Sequence, residues 1–300
     1  MKLAHIIVAH FNLKQTLRLY NRLNHKDSCF IFHVSKKCEP QEYEMLYRTL
    51  KDCKNCFFTK RINVIWGNFS FVQAMLNAID TLIESKVDFD YASLHSGQDY
   101  PIKSHNHIVH RLSENRGKQY LEFIPFSELN HINHWLETYH FWVGKRHFWH
   151  PHQQSDKATI AFYNFIFSLF LPKNRELPQG FTPYKGSTWW TLSKDCVEFL
   201  HQQAHSPDGK KLIEYFKNTW HPAESFVQTI LMNSKYRDHI INNDQRFILW
   251  PENDNGHPKI LTQTDYKDMV SSDRLFARKF NTQIDATILD LLDEKLAQPE

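Results

Sequence analysis

Apolar residues fall into short blocks along this chain, and the first runs from Leu3 to His10. A continuous block of that length, bounded by polar residues, predicts a buried strand. Asn12 then stands as a cap for a helix over Leu13–Leu23, where Leu13, Leu17, Leu19 and Tyr20 share one face. Cys29–Val34 is a second apolar strand, so the chain opens β-α-β and predicts a parallel pair with a right-handed crossover. Glu42–Leu50 reads as a helix and Val64-Ile65 as a short strand. Behind Ser70, the residues Val72, Met75, Leu76 and Ile79 recur at helical spacing through Ser85. Tyr91–Leu94 is a strand, followed by a polar loop with Gly and Pro punctuation at Ser96–Pro101. A helix over His105–Asn115 and a strand over Gln119–Ile124 complete this half.

From Ser127 to Pro183 the period fades and His and aromatic residues dominate. This stretch reads as a long insertion that shapes a cleft within one domain. Its Phe-rich run, Ile160–Leu171, is expected as a buried helix, with an interfacial role as the alternative. Alternation then resumes: a strand at Trp189–Leu192, helices at Lys194–His201, Lys210–Tyr215 and Ala223–Asn233, a strand at Phe247–Trp250, and closing helices around Tyr266–Met269 and Ala286–Ala297. The fold class is α/β.

Composition narrows the picture. Of the 300 residues, 41% are hydrophobic and 23% charged, which excludes disorder and allows a normal core. Thirty-six Lys+Arg against 33 Asp+Glu leave a charge of +3, too small to argue for a nucleic-acid partner. Nineteen His and 14% aromatic residues fit flat surfaces for sugars or bases, or a Phe-rich core, since 23 residues are Phe. Five Cys, with one C-x-x-C at Cys53–Cys56, read as a reduced pair, because no second ligand pair completes a zinc site. The Leu3–His10 run, broken by His5, does not read as a signal peptide, and no segment reaches the about 20 apolar residues that span a bilayer. The expected location is cytoplasmic, with the inner face of the membrane as the further option.

Sheets of this kind bind ligands beyond the carboxyl ends of their strands. The polar segments there are Ala9-His10-Phe11, His33-Val34-Ser35-Lys36 and Ser96-Gly97-Gln98-Asp99. Neither G-x-G-x-x-G nor a Walker loop occurs, and neither G-x-S-x-G nor H-E-x-x-H. Asp88-Phe89-Asp90 looks like a metal-holding Asp-x-Asp, yet it precedes its apolar strand, where a solvated role fits better. His140, His147, His150 and His152 could bind metal, but a surface loop is the expectation.

Five ordered motifs then carry a family likeness. They are Trp66-Gly67-Asn68-Phe69-Ser70-Phe71-Val72-Gln73-Ala74, Ser96-Gly97-Gln98-Asp99-Tyr100-Pro101-Ile102-Lys103, Gly186-Ser187-Thr188-Trp189-Trp190, His221-Pro222-Ala223-Glu224-Ser225-Phe226 and Phe276-Ala277-Arg278-Lys279-Phe280. In this order they resemble the core-2/I-branching glycosyltransferases, which include β-1,6-N-acetylglucosaminyltransferases and peptide O-xylosyltransferases. The compact length looks like the bacterial branch. The resemblance implies a GT-A-like, Rossmann-like mixed sheet flanked by helices. Within the single domain, residues 1–126 would form the nucleotide-binding half and 127–300 the acceptor and catalytic half.

It also implies an inverting, metal-independent transfer from a UDP-sugar, with UDP-GlcNAc the first donor, UDP-xylose the second and a glycan or glycolipid as acceptor. No cofactor is expected, since the UDP-sugar is a substrate. Inversion needs a base for the acceptor hydroxyl, and a positioned carboxylate can serve. The resemblance puts Glu224 there, although an acidic residue in the first turn of a helix also has a dipole explanation. A leaving diphosphate without a metal needs fixed cations, and the resemblance places Lys259 and Lys279 on it. Uridine would lie on Val8, His10, His33 and Ser35, where Ser35 replaces the usual Asp and adds no charge. Gly97, Gln98, Asp99, Glu122, Trp189 and Trp190 are the donor and acceptor candidates, the two tryptophans as a stacking face. A non-catalytic glycan- or nucleotide-binding protein is the rival reading, favoured by Ser35.

Overall fold

The computed structural model describes residues 1–129, 132–143, 146–150, 162, 165–171, 175–251 and 256–297. A seven-stranded sheet forms its centre. The strands are β1 (Leu3–Ala9), β2 (Ser28–Val34), β3 (Cys56–Phe58), β4 (Tyr91–Ser96), β6 (Gln119–Leu121), β11 (Trp190–Ser193) and β12 (Ile240–Ile241), ordered β12-β6-β11-β4-β1-β2-β3. β1 pairs in parallel with β2 and β4, β2 with β3, and β12 with β6, while β11 runs antiparallel to both neighbours. This is the mixed α/β sheet flanked by helices that the sequence led us to expect.

Alternation along β1 builds two cores, one on each face. Ala4, Ile6 and Val8 face α3 (Ser70–Glu84) and the helix α6 (Lys194–His205), with Met75, Ile79, Val197 and Leu200. Leu3, Ile7 and Ala9 face the other way, toward α1 (Leu13–Leu23), Phe276, Phe280 and Leu289. Asn12 caps α1 as expected, its side chain accepting from Gln15 N at 3.4 Å.

A second sheet positions the site. It joins β5 (Tyr100–Pro101), β13 (Arg246–Ile248) and β14 (Phe276–Arg278) in the order β13-β14-β5. Phe276 sits opposite Pro101, and Phe280 N donates to Gln98 O at 2.9 Å. The C-terminal stretch is thereby laid against the loop that follows β4. Two short pairs complete the strands: β7 (Ile124–Pro125) with β10 (Tyr184–Lys185), and the hairpin β8 (Tyr139–Val143) with β9 (Arg146–His150).

Several expectations are corrected. Val64-Ile65 is no strand, because the two amides are taken by side chains, Val64 N by Ser35 Oγ and Ile65 N by Ser70 Oγ. The edge strand is Cys56–Phe58, opposite Phe30–Phe32. The strand from Gln119 breaks after Leu121, where Phe123 N donates to Asn242 Oδ1 at 2.8 Å. His140 and His150 do not lie in a surface loop but are buried in the hairpin strands. The expected apolar helix over 160–171 falls partly outside the described residues. Its described side chains Phe162, Phe165, Leu169 and Phe170 are exposed, while Phe167 stacks on Phe141 at 4.8 Å. His152 also lies outside the described residues. No helix among the described residues is long and apolar enough to cross a membrane.

Candidate active site

Sheet register sets three chain ends side by side. Val8 lies between His33 and Ser96, so His10, Ser35 and Gly97 emerge together beyond the carboxyl edge. Most of these residues form the floor. Val8 is a core residue. His33 is enclosed, its Nε2 accepting from Ile62 N at 3.2 Å, and burial pulls its pKa down to about 4, so the ring is neutral. Ser35 Oγ accepts from Val64 N at 3.1 Å and Lys37 N at 3.3 Å. Val8, His33 and Ser35, the residues expected at uridine, thus lie beneath His10, and the His33 and Ser35 side chains bond to the amides of the neighbouring turns. His10 is the exposed member of the group. Its surroundings hold its pKa below the ordinary value, through partial burial first and then the charges of Lys37, Arg278 and Lys279.

The loop after β4 is equally constrained. A side chain at Gly97 would come within 2.4 Å of Thr16 Oγ1, so any larger residue there forces the buried Thr16 hydroxyl to move. Gly97 O accepts from Gln15 Nε2 at 2.9 Å. Gln98 is half-buried and reaches Phe280 O through its Nε2 at 3.3 Å. Asp99 is fully enclosed, accepting from Ser96 N at 3.1 Å and Ser96 Oγ at 2.8 Å. Arg278 Nε lies 3.1 Å from its Oδ1. Burial raises the pKa of Asp99, and Arg278, Arg246 and the Ser96 bonds oppose it. Asp99 is therefore an enclosed anchor for Arg278.

Arg278 also lies over the Trp189 ring at 4.0 Å, and Phe71 meets that ring edge-on at 5.9 Å. Trp190 is wholly inside the core. Both faces expected to stack on sugars are thus taken. The open aromatic is Trp66, 60% exposed, whose ring stands edge-on to His221 at 4.5 Å and near His257 at 5.7 Å.

Glu224 is linked to Trp66 through His221. The residue is not in the first turn of a helix: Pro222–Glu224 is a 3-10 turn, and α8 begins at Phe226 (Phe226–Met232). Pro222 and a left-handed His221 (φ 48°) force the tight turn. Backbone bonds fix it on both sides, His221 N to Gly67 O at 2.9 Å and Gly186 N to Glu224 O at 2.8 Å. Gly186 has no alternative, since a Cβ would stand 1.8 Å from Glu122 O. The Glu224 carboxylate is 3.0 Å from Lys185 Nζ and 3.9 Å from His221 Nδ1, with about a third of the side chain exposed. Burial holds His221 below its ordinary pKa, with Glu224 pulling the other way and Lys185 adding to the depression. Glu122 belongs to the same charge cluster. Burial and Asp244 raise its pKa, Lys185 lowers it, and Glu224 adds a smaller upward push. Arg278 in turn feels the charge of Glu224.

Lys279 O accepts from Leu261 N at 2.9 Å, two residues along from Lys259, whose own N donates to Leu249 O at 2.8 Å. Lys259 Nζ is, however, engaged by the nearly enclosed Asp265 at 2.6 Å. Asp88 pairs with Lys2 and Lys194 at the amino end of β4, the far edge of the sheet from His10.

A fixed carboxylate, a cationic strand end and an open tryptophan thus stand at the carboxyl edge of an α/β sheet, the edge where such sheets take their ligands. The chain belongs to the core-2/I-branching enzyme family, whose profile, "Branch: Core-2/I-Branching enzyme", it matches over residues 3–273. It is similar to "Xylosyltransferase oxt" of Drosophila pseudoobscura pseudoobscura, 26% identical over 96% of this chain and 32% of that protein. It is similar also to "Beta-glucuronosyltransferase GlcAT14A" of Arabidopsis thaliana, 25% identical over 94% of this chain and 61% of that protein. "Xylosyltransferase 2" of Rattus norvegicus is 23% identical over 98% of this chain and 33% of its own length. The chain thus spans between a third and three-fifths of these relatives. A looser likeness, TM-score 0.41 at 10% identity over 99% of this chain and 97% of the other, is to the galactosyltransferase LgtC.

Lys185, His221, Trp66 and Arg278 were not singled out by sequence reasoning. Three of them stand inside the quoted motifs, and Lys185 directly precedes one. The signal was their adjacency to Glu224 and Lys279; what they touch becomes visible only in the fold.

Proposed function

We propose that this chain is an inverting glycosyltransferase that moves a sugar from a UDP-sugar to a glycan hydroxyl without a divalent metal in the reaction. The supporting observation is Glu224: a partly exposed carboxylate, fixed through its backbone, within electrostatic reach of the cationic strand end at Arg278. In the reaction Glu224 takes the acceptor proton as the hydroxyl oxygen attacks the anomeric carbon from the face opposite UDP. The bond to the diphosphate breaks, and the charge that grows there is met by Lys279, with Arg278 behind it and Lys259 once it exchanges Asp265 for phosphate. Lys185 and His221 orient the carboxylate, and Trp66 offers a sugar its open ring.

The names of the relatives favour UDP-xylose and UDP-glucuronate as donors beside UDP-GlcNAc. The acceptor is a glycan or a glycolipid. The exposed Phe162, Phe165, Leu169 and Phe170 suit peripheral contact with a lipid surface, on the cytoplasmic side. The rival, a binding protein without catalysis, draws on the uncharged Ser35.

The test is UDP release from the three donors, with and without glycan acceptors, in excess EDTA at 20 °C. Acceptor-stimulated release that resists chelation is expected. Binding of UDP without release from any donor would favour the rival. Loss in EDTA with recovery in Mn²⁺ would overturn the metal-free route.

A further inference from the structure

On the flank of the molecule, two helices bring together two imidazoles and a carboxylate. His201 and His205 are four residues apart on α6, the spacing that puts two histidines on one helical face. Asp80 projects from the neighbouring α3. Its Oδ1 is 3.5 Å from His201 Nε2 and 3.1 Å from His205 Nε2. The three ligand atoms all lie within 4.8 Å of one another.

These lengths have a chemical meaning. Two ligands at about 2.0–2.1 Å from a tetrahedral zinc lie roughly 3.3 Å apart. The two separations from Asp80 bracket that value. One imidazole would suffice to satisfy a carboxylate on a surface; here both rings turn their Nε2 toward the same oxygen. The helices that carry them are packed rigidly, with Ile79 and Leu82 of α3 and Val197 and Leu200 of α6 in one core. That packing sets the three side chains opposite one another across the helix pair.

We propose that Asp80, His201 and His205 form a binding site for a divalent transition ion of the zinc class, with water in the fourth position. Two imidazoles and one carboxylate suit zinc better than the oxygen-seeking Mg²⁺ or Ca²⁺. The ion would tie α3 to α6. It is separate from the sugar-transfer reading: Asp80 is ten residues along α3 from Ser70, about 15 Å at the helical rise, and it is the Ser70 end that approaches the Glu224 turn. The ion is thus a clamp and takes no part at the diphosphate.

The experiment uses the full chain, stripped with EDTA and dialysed, then titrated with ZnCl₂ in a calorimeter and followed by thermal unfolding. A single strong site and a rise of a few degrees in Tm at saturating zinc are expected. His201→Ala and Asp80→Asn should lose both effects. His205→Gln, at the most exposed of the three positions, guards against a folding failure and should weaken zinc binding at least ten-fold while leaving the metal-free Tm and far-UV circular dichroism unchanged. Co²⁺ in place of Zn²⁺ should give visible d–d absorption that His205→Gln abolishes. Absence of a zinc-dependent shift in the parent would overturn the proposal, as would an equal shift in parent and variants.

Discussion

Replacing Glu224 by Gln removes one proton acceptor and almost nothing else. The amide keeps an oxygen for Lys185 Nζ, now 3.0 Å away, and retains the backbone bonds with His221 and Gly186. Both partners of the Lys185–Glu224 pair are a quarter to a third exposed, so the pair is screened and is worth about 0–1 kcal/mol to stability. A cost of that size moves Tm by no more than about 3 °C in a chain of this length. The catalytic cost is on another scale. Loss of a general base lowers kcat by roughly 10²–10⁴, or about 2.7–5.5 kcal/mol of transition-state stabilisation. Steady-state UDP release with acceptor gives kcat, calorimetry gives the affinity for UDP, and a thermal scan reports folding. The expected outcome is a collapsed kcat with UDP affinity and Tm nearly unchanged. Turnover within ten-fold of the parent would refute the assignment and direct attention to Glu122, the neighbouring carboxylate of the cluster.

Lys279→Ala should weaken UDP binding about ten-fold or more, since a charge-assisted hydrogen bond contributes roughly 1.5–3 kcal/mol, while uridine binds parent and variant alike. Equal loss for both ligands in calorimetry would make Lys279 a support of the fold. Acid should destabilise the protein through its buried imidazoles. Burial depresses His5 and His140 to about 3 and His33 to about 4, so below the ordinary value near 6.5 the unfolded chain takes up protons that the folded chain refuses. Their contribution is present above pH 6.5 and is lost as pH falls toward 3, at up to about 1.4 kcal/mol per pH unit for each ring. Denaturant midpoints in EDTA should fall steadily from pH 7 to pH 5; a flat profile would mean these rings protonate within the fold.

The opening β-α-β unit, α3 and the loop after β4 were legible because local rules fix them. Apolar blocks are long enough there, Asn12 caps, and Gly97 marks a close backbone passage beside Thr16. Val64-Ile65 misled because β-branched residues suit strands, yet Ser35 and Ser70 claimed their amides first. Glu224 was placed by its motif, but its 3-10 turn depends on Gly67 and Gly186, remote in sequence. Aromatic roles were the least legible. Trp66, Trp189 and Trp190 look alike in a sequence; only the tertiary neighbours Arg278 and Phe71 decide which ring is covered. The same holds for Lys259, whose partner Asp265 lies six residues on in a tight capping turn.

The strand that carries Arg278 has a consequence for how the protein comes into being. Phe276 and Ala277 pair with Tyr100 and Pro101, about 175 residues upstream. Closing so long a loop is entropically slow, and its reward arrives only when the partners meet. Until that strand docks, the loop after β4 must enclose Asp99 without its counter-ion, an arrangement that strongly disfavours the closed loop. During synthesis the N-terminal strands can therefore assemble while the cleft stays unfinished. The site is then finished only once the stretch that carries Arg278 has been made, and a product truncated before Phe276 would lack the strand that pairs with Tyr100 and Pro101.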